Sequence, residues 1–186
     1  MQKLGLDVDG VIRNLIPKIN FVFDKYYPGK RIHNNVFNYN FPHIDMPLKD
    51  KLNIIFNKYP EEIFLKSKPY SGAVSEFKLL KKWAEENDFK LVCATSQENH
   101  LISMSHIWLG KYNFDFEEIH ITKDKGNIGL DFLIDDSPSN HVNWAKNGNP
   151  EENFFLVDRS WNQEVVATNR IKSISEVIEI LSNKKE

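Results

Sequence analysis

Cysteine is almost missing from this chain: of 186 residues, Cys93 is the only one. No disulfide can form within the chain, which excludes the small cross-linked secreted frameworks. Cys93 lies in the apolar run FKLVCAT and is expected to be a small buried hydrophobe, not a reactive thiol. An excess of charge of one sign is also missing. The 24 basic and 26 acidic residues leave a formal net charge of -2 and a pI near 6.3, so there is no bulk attraction for nucleic acid and none is expected as a partner. No apolar run approaches the roughly 20 residues that span a bilayer, and the N-terminus enters a strand within three residues without the pattern of a leader. The expectation is a soluble, cytoplasmic protein with no membrane partner. The six histidines show no paired metal-ligand spacing on a shared element, and His120, inside EIHIT, reads as structural. There is no internal repeat or low-complexity tract, and the only charged tail is the terminal NKKE.

The 41% hydrophobic content over this length suffices for one globular core, with room for a small appendage but not for two large domains. The most informative stretch is LGLDVDGVI at residues 4–12, an apolar strand running into Asp7 and Asp9 and closed by Gly10. Side chains of a strand alternate, so positions i and i+2 project together. Two such carboxylates repel and share a cation or a proton. Magnesium favours oxygen ligands and keeps waters that a substrate phosphate can replace, and an aspartate can attack phosphorus itself.

Strands are expected at residues 3–8, 89–94, 118–122, 132–135 and 153–157, and helices at 73–86, 98–112, 138–146 and 173–184. This alternation specifies an α/β fold, a doubly wound, Rossmann-like parallel sheet. Ligands of such sheets bind beyond the carboxyl ends of the strands, where Asp7 and Asp9, Thr95 and Ser96, Thr122, and Asp135 and Asp136 all fall. Between Asp9 and the strand starting at Phe89 lie far more positions than the roughly 30 residues of a βαβ unit require. The surplus is expected to form a small helical cap over residues 15–70, helical near 15–27 and 47–65, on an α/β core of residues 1–14 and 71–186. Six Phe and five Tyr crowd into that segment, mostly as filling for its own core.

Taken singly, each polar motif has an ordinary explanation. DVDG can be a strand end and turn, Thr95 and Ser96 a helix N-cap, Asp135 and Asp136 a complement to a helix dipole, and Lys123 or Lys125 a solvated surface cation. Taken in order, they supply two acidic clusters, hydroxyls suited to phosphoryl oxygens, and a cation that can restrain a nucleophile and neutralise phosphoryl charge.

With DVDGV (7–11), TS (95–96), Lys125 and DD (135–136) in this order, the chain resembles the haloacid dehalogenase superfamily of phosphohydrolases. Within it, the strings PYSGA, CATS, WLGKY, ITKDK, DFLIDD and VDRSWN make it most similar to the 5'(3')-deoxyribonucleotidases of bacterial and phage type. The resemblance implies a magnesium-dependent phosphomonoesterase acting on deoxynucleoside monophosphates through an aspartyl phosphate, with a homodimer as a possible assembly. It implies Asp7 as nucleophile and magnesium ligand. Asp9 would be general acid and base and would lend its backbone carbonyl to the metal. Asp135 would complete the metal's protein ligands with Asp136 standing behind it, Thr95 and Ser96 would bind the phosphoryl group, and Lys125 would bind it too while stabilising charge beside Asp7. Family members often carry an acid where Asn14 stands, a proline where Gln97 stands and a lysine near Ser105. None of these departures is expected to touch the core chemistry, but they leave the substrate less defined than the reaction. Three alternatives remain open: the same catalyst acting on another small phosphomonoester or a nucleic-acid end, a phosphotransferase passing the phosphoryl group to another acceptor, and a non-catalytic binding module that keeps the fold.

Overall fold

The computed structural model describes residues 1–32 and 40–183. Phe37 and Tyr39 of the expected cap, and the end of the last expected helix with most of the NKKE tail, lie outside the described residues. The strands are β1 (Gln2–Leu6), β2 (Arg13–Asn14), β3 (Lys68–Pro69), β4 (Phe89–Thr95), β5 (Glu118–Ile121), β6 (Phe132–Asp135), β7 (Phe154–Val157) and β8 (Asn169–Ile171). The α-helices are α1 (Ile16–Tyr26), α2 (Leu48–Asn53), α3 (Ala73–Glu86), α4 (Ile102–Lys111), α5 (Pro138–Lys146) and α6 (Glu176–Asn183).

Six strands form one parallel sheet in the order β5-β4-β1-β6-β7-β8. The chain winds outward in one direction from β1 through β4 and β5, then returns to start again at β6, so the winding reverses between β1 and β6. That reversal opens a crevice at the strand ends. Register sets what meets there. Leu6 lies opposite Cys93 on one side and Ile134 on the other, and the Asp7 amide donates to the Ile134 carbonyl at 3.0 Å. Asp7 and Asp135 are therefore brought level, with Thr95 at the end of the flanking strand.

Period-two alternation assigns the core. Leu4, Leu6, Leu91, Cys93, Phe132, Ile134, Phe155 and Val157 face α3, α4 and α6 in one buried cluster. Val92, Ala94, Leu133, Phe154 and Leu156 join Trp144 of α5 in another. Gly5, in the central strand, faces Leu130 so closely that a Cβ would collide with its Cδ1.

Between β2 and β3, which pair antiparallel through Arg13–Pro69 and Asn14–Lys68, the chain builds a third cluster. Ile19, Val22, Phe23, Phe41, Ile44, Ile54, Ile55, Ile63 and Phe64 are buried together, with Leu101 from the turn before α4. Helix is present where expected near 15–27. The expected run 47–65 is α2 followed by two π-helical turns, Ile54–Lys58 and Glu61–Leu65; Pro60 lacks the amide that a continuous helix needs. The last helix begins three residues later than expected, because Glu176 accepts the amides of Lys172 and Ser173 and caps it there. Strand β8 was not expected. Its three residues show no alternation long enough to read, and it is held at the sheet edge by pairing with β7. Among the described residues no helix is long and apolar enough to cross a membrane.

Leu133 is fully buried on β6 between two strands. Leu133→Ala is expected to destabilise the protein by about 3 kcal/mol, seen in urea unfolding as a lower midpoint with an unchanged slope.

Candidate active site

The end of β1 supplies the first acid. Asp7 is buried, and its Oδ1 accepts the Val8 amide at 2.7 Å. The chain then turns at Gly10, whose φ of 83° lies in the left-handed region and whose missing side chain leaves room for the Asp136 carboxylate. Lys125 sits in a short 3-10 turn after β5 (Lys125–Asn127) and is fully enclosed. Its Nζ lies 2.9 Å from Asp7 Oδ1 and 2.7 Å from Asp135 Oδ2. Lys123 takes the other direction, to the cavity rim, where it pairs with Glu98 at 3.5 Å.

The two acids after β6 have different surroundings. Asp135 accepts from Lys125, from the Ser137 amide at 2.8 Å, and from Asn140 Nδ2 at 3.0 and 2.9 Å. Both of its oxygens are engaged by protein donors. Asp136 lines the cavity with Asp7 and receives the Trp161 indole N–H on Oδ2 at 2.7 Å. Asn162 Nδ2 ties the Asp136 carbonyl to that of Val157. Arg159 donates to the carbonyls of Gly10 at 2.6 Å and Val11 at 3.3 Å and stacks 4.1 Å above Tyr70, so the loop after β7 fixes both the DVDG turn and Asp136. Arg159, Trp161, Asn162 and Asn140 were assigned no part from sequence; VDRSWN stood out only as a string, because its partners lie on other strands.

Oxygens of Asp7, Asp135 and Asp136 come within 4.8 Å of one another. Three buried carboxylates face one buried ammonium, a hard, under-neutralised oxygen set that fits a divalent cation of the magnesium type. Thr95 and Ser96 line the same cavity, and Thr95 Oγ1 is buried with no hydrogen-bond partner among the described residues. A buried hydroxyl without a partner is costly, and a phosphoryl oxygen would satisfy it. The cavity, about 480 Å³, continues from these groups into an apolar half formed by Leu15, Ile16, Ile19, Phe41, Ile55, Phe56 and Phe64.

Asp9 also lines the cavity. Its carboxylate accepts from Arg13 Nε and Nη2 at 2.5 and 2.9 Å and from Gln97 Nε2 at 2.5 Å. Gln97, one of the expected departures, is thus in direct contact with Asp9. Sequence gives no warning, because 88 positions separate donor and acceptor.

Burial pushes the Asp7 carboxyl up to about 7; Lys125 opposes this, while Asp135 and Asp9 reinforce it. Burial alone would lower Lys125, but Asp135 and Asp7 overcome it and hold the ammonium above its usual range. Burial also takes the Cys93 thiol up to about 12.

Acids at the switch point of this sheet, a buried lysine and a hydroxyl-bearing strand end are the parts that a phosphoric monoester hydrolase needs. The family of 5' nucleotidase, deoxy (pyrimidine), cytosolic type C proteins matches residues 1–186, and the chain belongs to it. Similar solved structures include a haloacid dehalogenase-like hydrolase from Streptococcus pneumoniae, at 10% identity and TM-score 0.67, with 97% of this chain and 98% of that one covered. The HAD-hydrolase YfnB from Bacillus subtilis, bound to magnesium, is similar at 15% identity and TM-score 0.62 over 97% and 98% of the two chains. The L-2-haloacid dehalogenase from Xanthobacter autotrophicus, with chloropropionic acid covalently bound, is similar at 9% and 0.62 over 98% of both. At these identities the likeness is one of fold. No curated protein sequence matches the chain.

Because the folded-state value of Asp7, about 7, lies above the ordinary 3.8, the folded protein binds the extra proton. The stability this contributes is complete below about pH 4 and is lost as pH rises through 7. Without divalent cations, Asp7→Asn is expected to melt roughly 3–6 °C above the parent near pH 8 and level with it near pH 4. Equal melting temperatures near pH 8 would contradict this placement of the charge.

Proposed function

We propose that the protein is a magnesium-dependent 5'(3')-deoxyribonucleotidase, releasing phosphate from deoxynucleoside monophosphates through an aspartyl phosphate on Asp7. The observation that carries this reading is the meeting of Asp7, Lys125 and Asp136 with the unpartnered hydroxyl of Thr95 at one strand rim. Thr95 and Ser96 hold phosphoryl oxygens, and Lys125 keeps Asp7 oriented and balances phosphoryl charge. An Asp7 oxygen forms its bond to phosphorus as the bond to the nucleoside oxygen breaks, and Asp9 gives that oxygen a proton. Water then attacks phosphorus and loses its proton to Asp9, which frees Asp7 and phosphate. Asp9 thus enters protonated and leaves the first step ionised.

A magnesium ion at this site would neutralise the phosphoryl oxygens facing Asp7. Asp7, the Asp9 carbonyl and Asp136 would hold it. This exchanges the parts that sequence suggested for the paired acids: Asp135 has both oxygens committed to Lys125, Ser137 and Asn140, whereas Asp136 faces the cavity. The segment between β2 and β3 acts as the cap, and its apolar half of the cavity suits a planar base on an uncharged sugar. The family description, deoxy and pyrimidine, agrees with that chemistry.

Purified protein with magnesium is expected to release phosphate from dUMP or dTMP, and Asp7→Asn to lower the rate by at least about 10³-fold. Failure of dUMP, dTMP and an aryl phosphate, with Asp7→Asn identical to the parent, would end the proposal. For the metal, Asp136→Ala is expected to abolish magnesium binding in calorimetry, and Asp135→Asn to weaken it by about tenfold. The reverse order would restore Asp135 as the ligand.

A further inference from the structure

Arg13 has the most unusual environment of any cation in the described residues apart from Lys125. It is completely buried, and its guanidinium lies 5.4 Å from the Phe64 ring centroid and 5.1 Å from that of Trp108. Nη1 donates to the Phe64 carbonyl at 3.3 Å and Nη2 to Ser105 Oγ at 3.4 Å. Two faces are thus covered by aromatic rings, one from the β2–β3 segment and one from α4, which fixes the plane of the group. A guanidinium removed from water needs acceptors for its N–H groups, and Asp9 supplies two of them to a two-pronged fork.

A carboxylate offers about four lone-pair positions. Arg13 Nε takes one on Oδ1, while Arg13 Nη2 and Gln97 Nε2 take two on Oδ2. One position, on Oδ1, remains, and Asp9 lines the cavity. We propose that Arg13, together with Gln97, is a positioning residue for Asp9, setting the plane of its carboxylate so that Oδ1 is the atom that passes the proton to the leaving nucleoside oxygen. This deepens the phosphatase function proposed above and rests on it. The proton moves from Oδ1 to the nucleoside oxygen as that oxygen's bond to phosphorus breaks, and a proton of the attacking water returns to Oδ1 as Asp7 is released. Phe64, from the β2–β3 segment, and Trp108, from α4, thus help to hold the fork in place.

The experiment compares kcat/KM for dUMP and for p-nitrophenyl phosphate in the parent, Arg13→Met, Arg13→Lys, Gln97→Ala and Asp9→Asn. For both substrates kcat/KM ends with formation of the aspartyl phosphate, so later hydrolysis does not enter it. The aryl oxygen departs without a proton and the nucleoside oxygen needs one. The ratio of dUMP to aryl phosphate is expected to fall about tenfold in Arg13→Met and about threefold in Gln97→Ala, a fraction of the 10²–10⁴ that a positioned acid supplies. Arg13→Lys falls between them, since a point charge spans one carboxylate oxygen and not both. Asp9→Asn shows the largest fall. Should Arg13→Met fail to fold, Gln97→Ala, in a half-exposed loop, and Arg13→Lys decide the matter. An unchanged or rising ratio in those two overturns the inference. A large fall in Asp9→Asn alone likewise leaves the phosphatase standing and removes the positioning role, and a flat ratio in Asp9→Asn removes the acid that Arg13 was said to aim. No phosphate from either substrate with the parent protein overturns the phosphatase proposal, and the inference with it.

Discussion

One ammonium among buried carboxylates governs this site. Lys125 touches Asp7 and Asp135 at once, with Asp136 close by. Removing Lys125 would leave buried carboxylates uncompensated, at a cost of roughly 3–5 kcal/mol. The groups are therefore fixed as a set. The sheet registers bring the acids level, the short turn after β5 delivers the lysine, and the N-terminal turn of α5 returns Asn140 and the Ser137 amide to Asp135. One positive charge still does not balance three negative ones. The remaining imbalance suits a divalent cation.

Much of this was legible in the sequence because strand period and strand ends are local properties. LGLDVDG and DFLIDD each announce an apolar strand with acids at its carboxyl end, and a parallel winding places such ends on one rim whatever the details between. Where neighbours in sequence take opposite directions, spacing fell short. Lys123 and Lys125 are two residues apart, and only the turn between β5 and β6 sends one to the rim and the other inward. Asp135 and Asp136 are adjacent, and their different surroundings depend on Asn140 and Trp161, which sequence does not place. Strand β8 was illegible because three residues carry no pattern of their own. The break of the 47–65 helix into π-helical turns followed from Pro60 and from burial of Ile55, Ile63 and Phe64 in a cluster whose other members come from α1 and the chain near Phe41.

The family departures gain meaning from geometry. Gln97, where the resemblance leads one to expect proline, donates to Asp9, and Ser105, near which it leads one to expect lysine, accepts from Arg13. Positions far apart along the chain thus meet around one carboxylate. A proline at 97 has no side-chain donor, and a lysine at 105 would bring a second cation against the guanidinium.

The single thiol offers a practical consequence. Cys93 lies in the strand beside β1, paired in register with Leu6 and wholly enclosed, so an electrophile reaches its sulfur only when the centre of the sheet comes apart. Alkylation of this protein is accordingly a clock for global opening, with no second cysteine to confuse the reading. Substitutions at the acidic rim, or ligands bound there, change the rate of that clock only through the stability of the whole fold.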